Sequence, residues 1–143
     1  MLKHCLFSFF IALFVGTSFG QIVDFPEEQA HFPCHEFGKR DSTGFLLSSK
    51  VLCGNEGLMH WIQENIRYPQ ISMDIGEQGK VYIKFVVEMD GSITNLQILR
   101  GVSKELDREA KRVIAAMPPW VPGKVQGKIV RTAFTLPIIF KLT

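Results

Sequence analysis

The chain has 143 residues, with 16 Lys plus Arg against 14 Asp plus Glu and 46% hydrophobic residues. That length suits one domain with a single modest core. The near balance of charge gives no electrostatic footprint for nucleic acid or an anionic membrane, so neither is expected as a partner.

The first residues read as a leader. Lys3 and His4 precede an apolar run from Cys5 to Phe19, and Ser18-Phe19-Gly20 places small residues at a cleavage site. This is the layout of a cleavable signal peptide over residues 1–20, with Gln21 as the mature start. The alternative is an uncleaved membrane anchor formed by residues 5–19, although a spanning helix needs about 20 apolar residues. Processing would leave two cysteines, Cys34 and Cys53, in an oxidising compartment, and the first expectation is a disulfide between them. The rival is zinc held by His31, Cys34, His35, Cys53 and His60. Their spacing fits no compact ligand pattern, so no metal is expected.

Residues 21–54 carry Pro26, Pro33, Gly38 and Gly44 with scattered apolar positions, and read as an extended arm tied down by the disulfide. Residues 45–47, Phe-Leu-Leu, suggest a short edge strand or packing segment. The folded domain is expected over residues 55–143. Asn55 opens a helix as its N-cap, with Glu56 in the first turn. Leu58, Trp61, Ile62 and Ile66 recur at helical spacing, and Tyr68-Pro69 ends the helix. Residues 69–78 read as a connector.

From Lys80 the period becomes two. Val81, Ile83, Phe85, Val87 and Met89 share one face of a strand. Asp90-Gly91 predicts a tight turn, and residues 92–100 the return strand with Ile93, Leu96, Ile98 and Leu99. Ser103 N-caps a second helix whose buried stripe is Leu106, Ala110, Val113, Ile114 and Met117. Its Lys, Arg and Glu residues, Glu109 and Arg112 included, read as a solvated face. Pro118-Pro119 stops the helix, and Trp120 lies between Pro119 and Val121-Pro122-Gly123. The last strand runs over about 128–142 and contains Pro137, which has no N–H for a ladder and belongs on an edge or a bulge.

Helix, strand, strand, helix, strand gives an α+β fold. The expected sheet is three-stranded and antiparallel, in order 2-1-3, with two helices packed on one face. The last strand then forms a long edge. Within it Val130, Arg131, Thr132, Ala133, Phe134, Thr135 and Leu136 carry no obvious protection. Either the arm covers this edge, or an extended peptide adds to it as a further strand. Ser, His and Asp occur without a nucleophile elbow, metal motif or phosphate loop, so no enzyme and no cofactor are expected.

These residues resemble the C-terminal domain of TonB-type energy transducers, in the form common in Bacteroidetes-like bacteria. The resemblance is carried by Asn65-Ile66-Arg67-Tyr68-Pro69, Gly79-Lys80-Val81, Asp90-Gly91-Ser92-Ile93, Met117-Pro118-Pro119-Trp120, Pro122-Gly123 and Phe134-Thr135-Leu136-Pro137-Ile138. It implies a periplasmic domain that binds the Ton box of outer-membrane receptors by strand addition at its last strand. It also implies service to transmembrane transport of siderophores, cobalamin or glycans. Were residues 5–19 an anchor facing the periplasm, ExbB- and ExbD-like proteins would join the partners and the chain would be a small energy transducer. A third alternative is a structural envelope protein that forms homodimers through the same edge.

Overall fold

The computed structural model describes residues 22–24, 26–43 and 46–143, with the backbone alone at residues 39, 40 and 46–48. The expected leader, residues 1–20, lies outside the described residues, as does Phe45 of the expected packing segment. Strand β1 (Ile22–Val23) is followed by a hairpin of β2 (His35–Arg40) and β3 (Leu46–Leu52), then helix α1 (Gly54–Asn65) and a short helix α2 (Gln70–Asp74). Next come β4 (Gly79–Val87), β5 (Ile93–Arg100), α3 (Lys104–Ala115), the small ribbon of β6 (Lys124–Val125) and β7 (Lys128–Ile129), and the long β8 (Arg131–Phe140). The fold is α+β with three helices, where two were expected.

The main sheet has four strands in the order β1-β8-β4-β5. This corrects the expected three-stranded, all-antiparallel sheet. β8 and β5 flank β4 and run antiparallel to it, but β1 of the arm adds outside β8, parallel to it. The sheet is therefore mixed. No sequence periodicity in a two-residue strand could have announced this pairing.

Alternation in β4 buries Val81, Ile83, Phe85 and Val87 completely, against Leu106, Ala110, Val113 and Ile114 of α3 and Leu58, Trp61 and Ile62 of α1. β5 departs from strict alternation. Asn95 has φ +51°, and the register with β4 shifts between Lys84 and Val86. The bulge rephases the strand, so Ile93, Leu96 and Ile98 all pack on the core while Leu99 is 56% exposed. A local bulge of this kind changes which residues share a face.

The arm belongs to the same core. Phe32 is 1% exposed and meets Trp61 and Trp120 at ring-centroid distances of 6.3 and 6.1 Å. Trp120 also packs edge-on against Phe85 and Phe134. The disulfide joins Cys34 to Cys53. Because His35 pairs with Leu52, the two cysteines stand at the base of the β2–β3 hairpin. The N-cap of α1 is Cys53, not Asn55, and its side chain makes no capping bond. The Gly54 N–H donates instead to Phe32 O at 3.1 Å, so the arm supplies what a capping side chain would have given.

The connector 69–78 contains α2, which sequence periodicity missed because one helical turn is too short to show a period. Ser72 is fully buried there, and its hydroxyl donates to Glu77 at 2.8 Å. Glu109 and Arg112 are not merely solvated. Glu109 accepts from Arg67 N at 2.6 Å and pairs with Arg112 at 2.7 Å, while Arg112 also reaches Asn65 O at 2.7 Å. This network fastens α3 to the end of α1.

Candidate functional site

The candidate site is the outer edge of β8. Pro137 keeps register with Tyr82, and pairing is continuous from Gly79↔Phe140 to Val87↔Thr132. A proline can hold that register only where its backbone nitrogen faces away from β4. Backbone direction alternates along a strand, so Arg131, Ala133, Thr135 and Ile139 also turn their N–H and C=O groups outward. Thr132, Phe134, Leu136 and Ile138 turn theirs to β4. The stretch 130–136 thus divides by parity: only its odd members offer hydrogen bonds at the edge.

Side chains divide the same way. Thr132, Leu136 and Ile138 are buried in the core, and the Phe134 ring lies against Phe85 and Trp120. Thr132, Leu136 and Ile138 cannot serve a guest directly, whereas Phe134 is only half-buried. Thr135, Pro137 and Ile139 are exposed on the opposite face. Val130 is not on the edge ladder; its N–H donates to Gly123 O at 3.0 Å.

The edge is partly taken. Ile22 pairs with Arg131 and Val23 with Thr132. The arm then leaves β8, and an open groove of about 650 Å³ follows, lined by Asp24, Gln29, Lys84, Ala133, Phe134 and Thr135. Lys84 stands opposite Thr135 on β4, and its Nζ lies 3.8 Å from Asp24 Oδ1. The sequence reading missed Asp24, Gln29 and Lys84. The β-branched pair Ile22-Val23 was the available signal for a strand, but two residues carry no period.

At its start β8 is clamped to the hairpin. Arg131 Nε donates to Glu88 Oε2 at 2.7 Å, with both side chains about one-quarter exposed. The Arg131 hydrogen bond, then that of Thr94, hold the Glu88 carboxyl below the usual range. The other motif residues shape the surroundings. The Tyr68 hydroxyl donates to Glu77 O, and its ring stands edge-on to Phe140. Pro69 is the N-cap of α2. Asp90 Oδ1 accepts from Ser92 N at 2.9 Å and closes the turn. Gly91 has φ +85°, and a Cβ there would sit 2.1 Å from Trp120 O. Gly123 is equally confined, with Thr132 Oγ1 2.6 Å and Glu28 O 2.8 Å from where its Cβ would be. It lets the arm cross close to β8. Pro119 and Pro122 flank Trp120, exposed and half-buried respectively.

Among the described residues, no group of three or more His, Cys, Asp or Glu is arranged to hold a metal ion. No helix among them is long and apolar enough to cross a membrane. The chemistry offered by the edge is backbone hydrogen bonding in a line.

Residues 64–142 match the family model for the Gram-negative bacterial TonB protein C-terminal. Over 78 residues the chain is 35% identical to Protein TonB of Pseudomonas aeruginosa, covering 52% of this chain and 22% of that protein. The chain thus spans about a fifth of the length of that relative. Two solution structures of Helicobacter pylori TonB-CTD are similar at 22% and 20% identity, with TM-scores of 0.47 and 0.41. They cover 60% and 59% of this chain, and 78% and 88% of theirs. On the family match, which takes in more than half of the residues, the chain belongs to the Gram-negative bacterial TonB C-terminal family.

Proposed function

We propose that this chain is a periplasmic binding module that takes up the Ton box of an outer-membrane TonB-dependent receptor as an added strand on β8, in the service of TonB-dependent transport. One observation carries the reading: Ala133 and Thr135 direct backbone groups outward beside an open groove, and the outward edge continues to Ile139. A guest lying there would gain main-chain hydrogen bonds from the edge, and selectivity from the side chains around the groove. Membership of the family supports the choice of guest. The domain limits proposed are 21–54 for the arm and 55–143 for the binding domain, following a leader of residues 1–20.

Titration of the labelled protein with synthetic receptor Ton-box peptides tests this. Amide shifts at residues 131–139, and at the arm and groove residues beside them, 22–24, Gln29 and Lys84, saturating at micromolar peptide, are expected. Shifts elsewhere, or none with any such peptide, would count against strand addition. Light scattering during gel filtration separates the other use of the same edge, because self-association would give a dimer without peptide.

A further inference from the structure

We propose that residues 22–24 form a removable cap on this edge, which an incoming strand must displace; the proposal rests on the strand-addition reading. β1 sits on the first ladder positions of β8, at Arg131 and Thr132. A guest strand running the length of the edge needs those same positions. Cap and guest are then alternatives.

The contacts of the cap are weak. It pairs through two residues only, far short of the length at which strands are usually stable. Ile22 remains 38% exposed, so the pairing adds little to the core. The tie between Asp24 and Lys84 is 3.8 Å long, with side chains 63% and 43% exposed. Exposed pairs of this kind contribute little.

The tether of the cap is strong. Glu28 and Lys124 exchange backbone hydrogen bonds of 3.0 and 2.8 Å, and His31 and Val121 exchange bonds of 3.0 and 2.9 Å. Phe32 is locked between Trp61 and Trp120, and Cys34 is bonded to Cys53. The arm is therefore fixed from Glu28 onward, and the cap is held beside β8 by a few residues of chain. A short tether gives a weak ligand a high local concentration. The result is an edge that is covered by default and yields to a better strand. This answers the hazard of an exposed edge without closing it.

Two variants of the full chain test the cap. Arg131 faces outward with Ile22 beside it, which sets the Val23 N–H toward Arg131 O, and Val23→Pro removes that N–H. Asp24→Lys leaves the backbone intact but sets two like charges together at Lys84. Each variant is titrated with a synthetic receptor Ton-box peptide, and hydrogen exchange is followed at Arg131 and Ala133, with Thr132 as the internal reference. Val23→Pro should bind the peptide about tenfold more tightly than the parent and Asp24→Lys about twofold, in proportion to the competition each removes. Without peptide, exchange at the outward-facing amides of Arg131 and Ala133 should accelerate by a similar factor, while that of Thr132, turned to β4, should not. Equal affinity of parent and variants, or unchanged exchange, overturns the cap. Peptide binding to none of the three overturns the strand-addition reading and the cap with it.

Discussion

Thr135→Pro separates edge chemistry from fold stability. Thr135 stands two residues before Pro137 on β8, with its backbone on the same outward side. A proline there gives up an N–H that β4 does not use. The preceding residue, Phe134, is already extended in β8, the region that a following proline requires. The folded state should therefore lose no more than about 1 kcal/mol, from restriction of φ. A guest strand loses one hydrogen bond, worth roughly 0.5–1.5 kcal/mol net, and meets the pyrrolidine ring in its path. Together these weaken binding about tenfold. Fluorescence anisotropy with a labelled Ton-box peptide measures the loss, and thermal unfolding measures the fold. Thr135→Ala, which keeps the N–H, should bind nearly as the parent does. A folded Thr135→Pro variant with unchanged affinity would refute the assignment of this edge. Thr132→Pro would not serve, because Thr132 pairs inward with Val87 and its loss would damage the β4–β8 ladder.

Other outcomes follow from the packing. Gly91→Ala should destabilise by about 3 kcal/mol or more, since it combines a positive φ with a contact of 2.1 Å to Trp120 O; urea denaturation reads this directly. Breaking the Cys34–Cys53 bond, 19 residues apart in sequence, by reduction or by a double Ala variant should cost about 3 kcal/mol. The midpoint of denaturation with and without reductant gives the value. Burial alone would raise the Glu109 carboxyl, but hydrogen bonds from Arg112 and Arg67 N outweigh it and hold the group below the usual range. A depressed carboxyl contributes stability above its unfolded value and loses it as pH falls through the folded value. Stability should thus decline below about pH 4.3, and Glu109→Gln should both lower the neutral plateau and flatten that decline.

The elements with a clear period were legible in the residues. The alternation of β4, the stripe of α3 and the Asp90-Gly91 turn follow from local rules, because each repeats or caps within a few positions. Pro137 pointed to an edge position for the last strand, since a missing N–H restricts where proline can pair, but β1 lies outside the start of β8 and leaves it an edge only beyond Thr132. The Cys34–Cys53 pair was expected once Cys5 was set aside with the leader and an oxidising compartment assumed. What stayed hidden was non-local. α2 is too short for a period, the bulge at Asn95 shifts phase within one strand, and Glu109 becomes structural only through Arg67, 42 residues away.

The candidate site shows the same division. By itself the sequence determined that the last strand alternates and carries a proline that limits pairing on one side. Only the tertiary structure decided which backbone groups face outward, that Asp24, Gln29 and Lys84 wall the groove, and that the arm lies over its beginning. Side-chain pattern records which residues are buried. The direction of a strand's hydrogen bonds, and the chain that lies across them, depend on neighbours that are distant in sequence.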